Sequence, residues 1–497
     1  MRDNVLTDIA WVKTDRGLKT VEDVLKNAKS LKLETQIPAY EFGSQLRFLM
    51  TIFALVIQKA DGYKNISENH IDDVLVLLEP HSHLLDEYDP FLQMPKRLFK
   101  DTSQILKKNK NGVEELNSAA LKTPAKLLPA EPNGKQEVFW DFEDKTDFNT
   151  SVEQAVLLLV AAYLYKSGGN FGFEPGVTAK NSASALRYVD TGKLPPAIEI
   201  IPLGANLFDT LVMSIPKEYI TPDNVLPHWA DRESLVTNPQ GFSPLWRFTW
   251  SFATTYCVWG VTEDDAIVLK SVGVGATDAF LPKPVFTHAK DQWKEFDATR
   301  KAQDPFYFYY LTDKGESKMY YANLSGEPHY YVARWNADAL AEKLISKWRK
   351  NIRYSDDKLD NLLFLEQATG GTAQSFTIRH SKSVLGWRDE MLPNGNVEKI
   401  DEVYGSVLDV RNRLTGFFSE NGTMKHLATK RADVDTAFWN EFAPYIAQIA
   451  SGELKAKGVK RVAKKVALEA LNTVSSKRDT IHISAHLKAE NILGALK

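Results

Sequence analysis

A single cysteine, Cys257, stands in 497 residues. It cannot close an intrachain disulfide, and a zinc site built from several cysteines is excluded. Catalytic signatures are missing too: the chain has no HExxH, no GxSxG, no GxGxxG and no GxxxxGK followed by Ser or Thr. A dominant charge of either sign is absent, because 61 Lys and Arg oppose 64 Asp and Glu for a net charge of -3. Any nucleic acid must therefore be met through local basic patches. The most apolar stretch, Phe48 to Ile57, is about half of the roughly 20 residues a membrane span needs, so it reads as a buried helix and no membrane partner is expected. The opening MRDNVLTDIAWVK carries early charges and no apolar core with a small-residue cleavage site. A secretory signal is not expected, and a cytoplasmic location is.

What the chain does contain is an ordinary globular balance, 43% hydrophobic and 25% charged, which excludes collagen-like, low-complexity and wholly disordered classes. Its length favours two or three domains over one. Near the start, Trp11 in a short apolar run, the Arg16-Gly17 turn and Thr20 before Glu22 and Asp23 predict a strand, a turn and a helix. Leu46, Leu49, Phe53, Val56 and Ile57 recur at helical spacing between Tyr40 and Ala60, and a second helix is expected over Ile71 to Leu78. Basic and turn-forming residues from Lys96 to Asn149 predict exposed loops. Ser151 to Lys166 is a helix capped by Thr150 or Ser151, and its all-round apolarity predicts burial. Between Pro305 and Trp335, FYFYYLT, KMYYANL and HYYVARW predict a meander of aromatic strands.

Past Asn394 the pattern turns wholly helical. Val403, Val407, Val410, Leu414 and Phe417 form one stripe, and Phe438, Phe442, Tyr445 and Ile449 another despite Pro444. Further helices are expected from about Val459 and Thr480. The expected fold class is α+β: a large mixed α/β domain over residues 1–393, then an antiparallel four-helix bundle over 394–497, with the boundary in LPNGN.

Three features carry possible chemistry. SGGNFGFEPG places four glycines in ten residues after the apolar helix, which frees the main chain to approach a phosphate or a base edge, although turns alone explain one or two of them. Lys457, Lys460, Arg461, Lys464 and Lys465 line one helical face, with Val459, Val462, Ala463, Val466 and Ala467 opposite. That stripe suits phosphates and also suits plain solvation. His81 and His83, followed by Asp86, Glu87 and Asp89, are metal-ligand types. No second ligand cluster has recognisable spacing, so a solvated acidic loop is the simpler reading and no metal or other cofactor is expected. A metal-dependent hydrolase built on this loop is the alternative function. His482 and His486, four apart, form either a shared ligand pair or a packed helical pair.

Taken in order, LTDIAWVKTDRGLKTVEDVL, the apolar helix, DPFLQMP, EVFWDFED, the glycine loop, IPLGANLFDTLVMSIP, PHWADRE and the helical end resemble the large subunit of type I-E CRISPR Cascade, the CasA family. The resemblance implies a non-enzymatic subunit of a crRNA-bearing complex. It would read the protospacer-adjacent motif of target double-stranded DNA from the minor groove, help unwind the duplex and recruit the helicase-nuclease. Such division of labour leaves the sequence to guide pairing and a short docking signal to protein. Carried over by position, the resemblance puts the family's glycine loop on Gly168, Gly169 and Gly172 and its lysine finger on Lys290, with Lys294 as fallback. The glutamine wedge falls on Gln374 after Gly370-Gly371. The loop that docks onto the crRNA handle and other Cascade subunits falls on Phe139, Trp140 and Asp141. Some members carry two cysteine pairs that look like a zinc site, one flanking that loop, and this chain has neither.

Overall fold

A computed structural model of the protein describes residues 4–82, 106–116, 123–128, 150–165, 198–220, 226–230, 243–249, 253–276, 303–307, 309–311, 317–319, 358–372, 375–385, 397–450, 454, 456–475 and 483–495. The architecture mixes helices with small sheets, as the α+β class expects. The described residues fall into two compact units, the first holding those of 4–319 and 358–383 and the second those from 384 onward.

The first unit opens with β1 (Val12–Thr14) and β2 (Gly17–Lys19) as an antiparallel hairpin. Gly17 turns it at φ +84°, a conformation side chains resist. Helix α1 (Val21–Lys26) follows, capped by the Thr20 side chain, which accepts the Asp23 N–H. Helix α2 (Ala39–Lys59) is buried at every residue from Ala39 to Ile57. By length and composition it is apolar enough to cross a membrane, yet its apolar window is wholly enclosed by the protein, as all-round apolarity also permits in a large core. Helix α3 (Glu68–Leu78) starts at Glu68 rather than Ile71, because the Ser67 N–H donates to Nδ1 of His70 at 3.1 Å. Histidine takes the place of the Glu or Gln that usually completes such a capping box.

Strands β3 (Leu106–Lys108) and β4 (Glu114–Leu116) pair as a hairpin. Thr150 and Ser151, expected as caps, form the short strand β5 (Thr150–Ser151), and Ser151 Oγ also accepts the Gln154 N–H at 3.4 Å. Helix α4 (Val152–Tyr165) is buried from Ala155 to Tyr165 and packs beside α2. One sheet is ordered β5, then β8 (Ile267–Ala276), then β7 (Ala253–Val261). A second runs β12 (Ser375–Leu385), β11 (Leu359–Thr372), β6 (Ile198–Gly204). Asn206 caps α5 (Leu207–Ser214), and α6 (Pro244–Thr249) lies ahead of β7. His228 lies 2.8 Å from Tyr163 Oη in a hydrogen bond, while Trp229 stacks on Phe48, so these two residues of the PHWADRE landmark reach both core helices. Of the aromatic meander, β9 (Tyr309–Leu311) and β10 (Ser317–Met319) pair antiparallel; HYYVARW lies outside the described residues.

In the second unit, α7 (Val397–Gly416), α8 (Arg431–Ala450), α9 (Ala456–Val474) and α10 (Ile483–Gly494) share one apolar core. Val407, Val410 and Leu414 of the first expected stripe and Phe438 and Phe442 of the second are fully buried in it. Asp435 clasps Arg411 through two bonds of 2.7 Å, tying α7 to α8.

Candidate nucleic-acid interface

The residues expected to meet duplex DNA, Gly168, Gly169, Gly172, Lys290, Lys294 and Gln374, lie outside the described residues, as do Phe139, Trp140 and Asp141 of the docking loop. What the structure does describe is where those segments join the core. The glycine connection follows Tyr165, the last described residue of α4, and rejoins at Ile198, the first of β6. The connection bearing Lys290 rejoins at Gln303. Ala373 and Gln374 bridge the adjacent ends of the long neighbouring strands β11 and β12.

The two glycine junctions and the return of the lysine connection converge on a buried ionic cluster that sequence reasoning missed. Arg47 of α2, 1% exposed, donates through Nη1 to Asp304 Oδ2 at 2.6 Å and through Nη2 to Glu199 Oε2 at 3.1 Å. Its Nε donates to the Tyr165 hydroxyl oxygen at 3.2 Å. That hydroxyl donates in turn to Glu199 Oε2 at 2.9 Å, and the Tyr307 hydroxyl donates to Glu199 Oε1 at 2.6 Å. The Phe306 N–H fixes the other oxygen of Asp304 at 3.1 Å. Aromatic faces complete the enclosure, with the guanidinium carbon 4.8 Å from the Phe306 ring centre and 5.3 Å from that of Phe248. Burial, and then the charge of Glu199, push the Tyr165 hydroxyl well above its ordinary value. It therefore stays a donor under ordinary conditions. One sequence signal existed: Arg47 is the sole charged residue between Glu41 and Lys59. Nothing local to it, however, names partners up to 257 positions away.

The basic stripe sits on α9. Val459, Ala463, Val466 and Ala467 are fully buried, which turns Arg461 and Lys465 to solvent and leaves Lys460 and Lys464 half-buried. The side chain of Lys457 lies outside the described residues. Lys465 approaches Glu469 at 3.7 Å; exposed pairs of this kind contribute little.

His83, Asp86, Glu87 and Asp89 lie outside the described residues, as does the side chain of His81. His486 is buried, with Ser475 Oγ at 3.0 Å from Nδ1 and Asn472 Oδ1 at 3.1 Å from Nε2. That is a packed helical contact between α9 and α10.

A family model described as CRISPR-associated protein Cse1 matches residues 6–252. Cse1 of Thermobifida fusca shares the fold at TM-score 0.58 and 15% identity, over 99% of this chain and 97% of its own. CasA (Cse1) of Thermus thermophilus does so at 0.53 and 16% identity, over 99% of both chains. A chain of a structure described as a CRISPR RNA-guided surveillance complex does so at 0.55 and 15% identity, again over 99% of both chains. No curated protein sequence matches the chain.

Proposed function

From the premise that this chain belongs to the CRISPR-associated Cse1 family, the large subunits of type I-E Cascade, we propose that it reads the protospacer-adjacent motif of target DNA within that complex. The family supplies a structural subunit of Cascade, so its partners are crRNA and the other Cascade subunits. The match over residues 6–252 carries the reading. On it, main chain at Gly168, Gly169 and Gly172 and the amine of Lys290 meet the minor groove of the duplex. Gln374, between β11 and β12 in sequence, inserts beneath the motif. Unstacking a step costs a few kcal/mol, which contacts to the bent duplex offset.

Phe139, Trp140 and Asp141 dock the subunit onto the crRNA handle, where stacking on an unpaired base contributes about 1 to 3 kcal/mol. The chain then consists of a mixed domain over residues 1–393 and an antiparallel four-helix bundle over 394–497, whose basic stripe of Lys457, Lys460, Arg461, Lys464 and Lys465 contacts phosphates. Motif capture helps unwind the duplex and recruits the helicase-nuclease, all in the cytoplasm and without catalysis by this chain.

The test is target-duplex affinity of the guide-loaded complex carrying Lys290→Ala, Gln374→Ala or Gly169→Leu. Each is expected to weaken binding while the variant still assembles. Equal binding by all three refutes the reading.

A further inference from the structure

We infer that Arg47 is a positioning residue for duplex recognition: the cluster around it fixes, relative to one another, the points at which the glycine segment leaves and rejoins the core and the lysine segment rejoins it. The inference rests on the function proposed above and adds to it a residue that meets no DNA.

Three junctions meet in this cluster. Departure and return of the glycine connection are tied by one hydrogen bond, from the Tyr165 hydroxyl to Glu199, one residue inside β6. The return of the lysine connection is tied by Asp304, one residue after Gln303, through its 2.6 Å bond to Arg47. Gln303 is itself held, its carbonyl accepting the Tyr219 hydroxyl at 2.9 Å and its side-chain oxygen accepting Nε of Arg247 at 2.9 Å. Strand β11, which leads towards Gln374 further along the chain, passes the cluster, with Leu365 paired to Glu199 and Phe364 to Ile200. Glu199 also bridges Tyr307 through the main chain. Arg47 donates to a residue at each of these three junctions, across sequence separations of 118, 152 and 257.

Stability is a poor reason for such a cluster. Removing a guanidinium and two carboxylates from water is costly, and well-packed apolar residues in their place often leave a fold as stable or more so. A planar, five-donor fork offers what leucine cannot: bond directions that admit one arrangement of the groups it meets. Recognition by main chain and by an inserted side chain demands that kind of placement, since a displacement of about 1 Å at a recognition group is enough to lose its hydrogen bonds.

The experiment compares guide-loaded complexes with wild-type, Arg47→Lys and Tyr307→Phe subunits on two duplexes that differ only in the motif. The readout is the ratio of their dissociation constants, with thermal melting of each subunit beside it. Both variants are expected to reduce the ratio by about 3- to 30-fold, the size of effect that substitutions within a coupled network carry. Ratios within about twofold of wild type, with lowered melting temperatures, would show a merely structural cluster and overturn the inference. If Arg47→Lys does not fold, Tyr307→Phe decides alone, because it deletes one hydroxyl and keeps every ion pair. A wild-type complex that fails to distinguish the duplexes would remove the proposed function and this inference together. Discrimination that survives both variants would remove the inference alone.

Discussion

A β-carbon placed on Gly43 would overlap the hydroxyl of Tyr165. Helices α2 and α4 therefore meet at a bare stretch of main chain, and the phenol it admits reaches Arg47 and Glu199. Local propensity and packing oppose each other here, which makes the site diagnostic. Alanine in a helix interior is favoured over glycine by ~1 kcal/mol. Overpacking a filled core costs about 1 to 3 kcal/mol, and displacing Tyr165 also takes a donor from a buried carboxylate, at about 1 to 3 kcal/mol. Gly43→Ala is expected to destabilise the protein by about 1 to 3 kcal/mol, seen as a lower urea midpoint at unchanged slope. A stabilised variant would mean that the two helices have room to part.

Arg411 and Asp435 permit a separate test in the second unit. Their two bonds of 2.7 Å join α7 to α8, with both side chains largely covered. Arg411→Ala or Asp435→Ala is expected to cost about 1.5 to 3 kcal/mol, the range for hydrogen bonds to charged groups. A double-mutant cycle should show the two losses to be strongly non-additive. Additive losses would mean that the pair contributes nothing beyond its separate packing.

Alkaline behaviour follows from Tyr40, whose hydroxyl burial, and then the neighbouring charge of Glu41, push up to about 12. Because the folded value exceeds the ordinary value of 10.0, the folded chain holds this proton more tightly than the unfolded chain does. The associated stability is complete below 10.0 and is lost as pH rises through about 12. Tyr40→Phe cannot ionise, so the stability difference between wild type and variant should shift in favour of the variant across that window. A difference that stays constant with pH would contradict the assignment.

For the basic stripe, the slope of DNA affinity against salt is the informative quantity. Each phosphate-bound lysine contributes a slope of about 0.9 on a log–log scale. Lys460→Glu with Lys464→Glu should flatten the salt dependence of the guide-loaded complex, and an unchanged slope would leave the stripe as a solvated face.

Periodicity revealed most of the helical framework. The run from Leu46 to Ile57 and the apolar body after Ser151 are the two central helices, and Thr20 caps α1 as its position before Glu22 and Asp23 implies. Those signals are local, repeating within a few residues. The start of α3 escaped because its capping partner is His70, outside the usual Glu or Gln pattern. The double role of Thr150 and Ser151 escaped because strand pairing with β8 joins residues far apart in sequence. The Arg47 cluster was illegible for the same reason, since Glu199, Asp304 and Tyr307 come from separate segments and none carries a motif. The glycine, lysine and glutamine residues were reached through family resemblance, and their roles are proposals.

The measurement that bears most directly on the account is the affinity of a guide-loaded Cascade for two duplexes, identical except for the motif, with this subunit present and with it withheld. Tight, motif-dependent binding is expected with the subunit and weak, motif-blind binding without it. Equal discrimination in its absence would assign motif reading to another component and contradict the central claim.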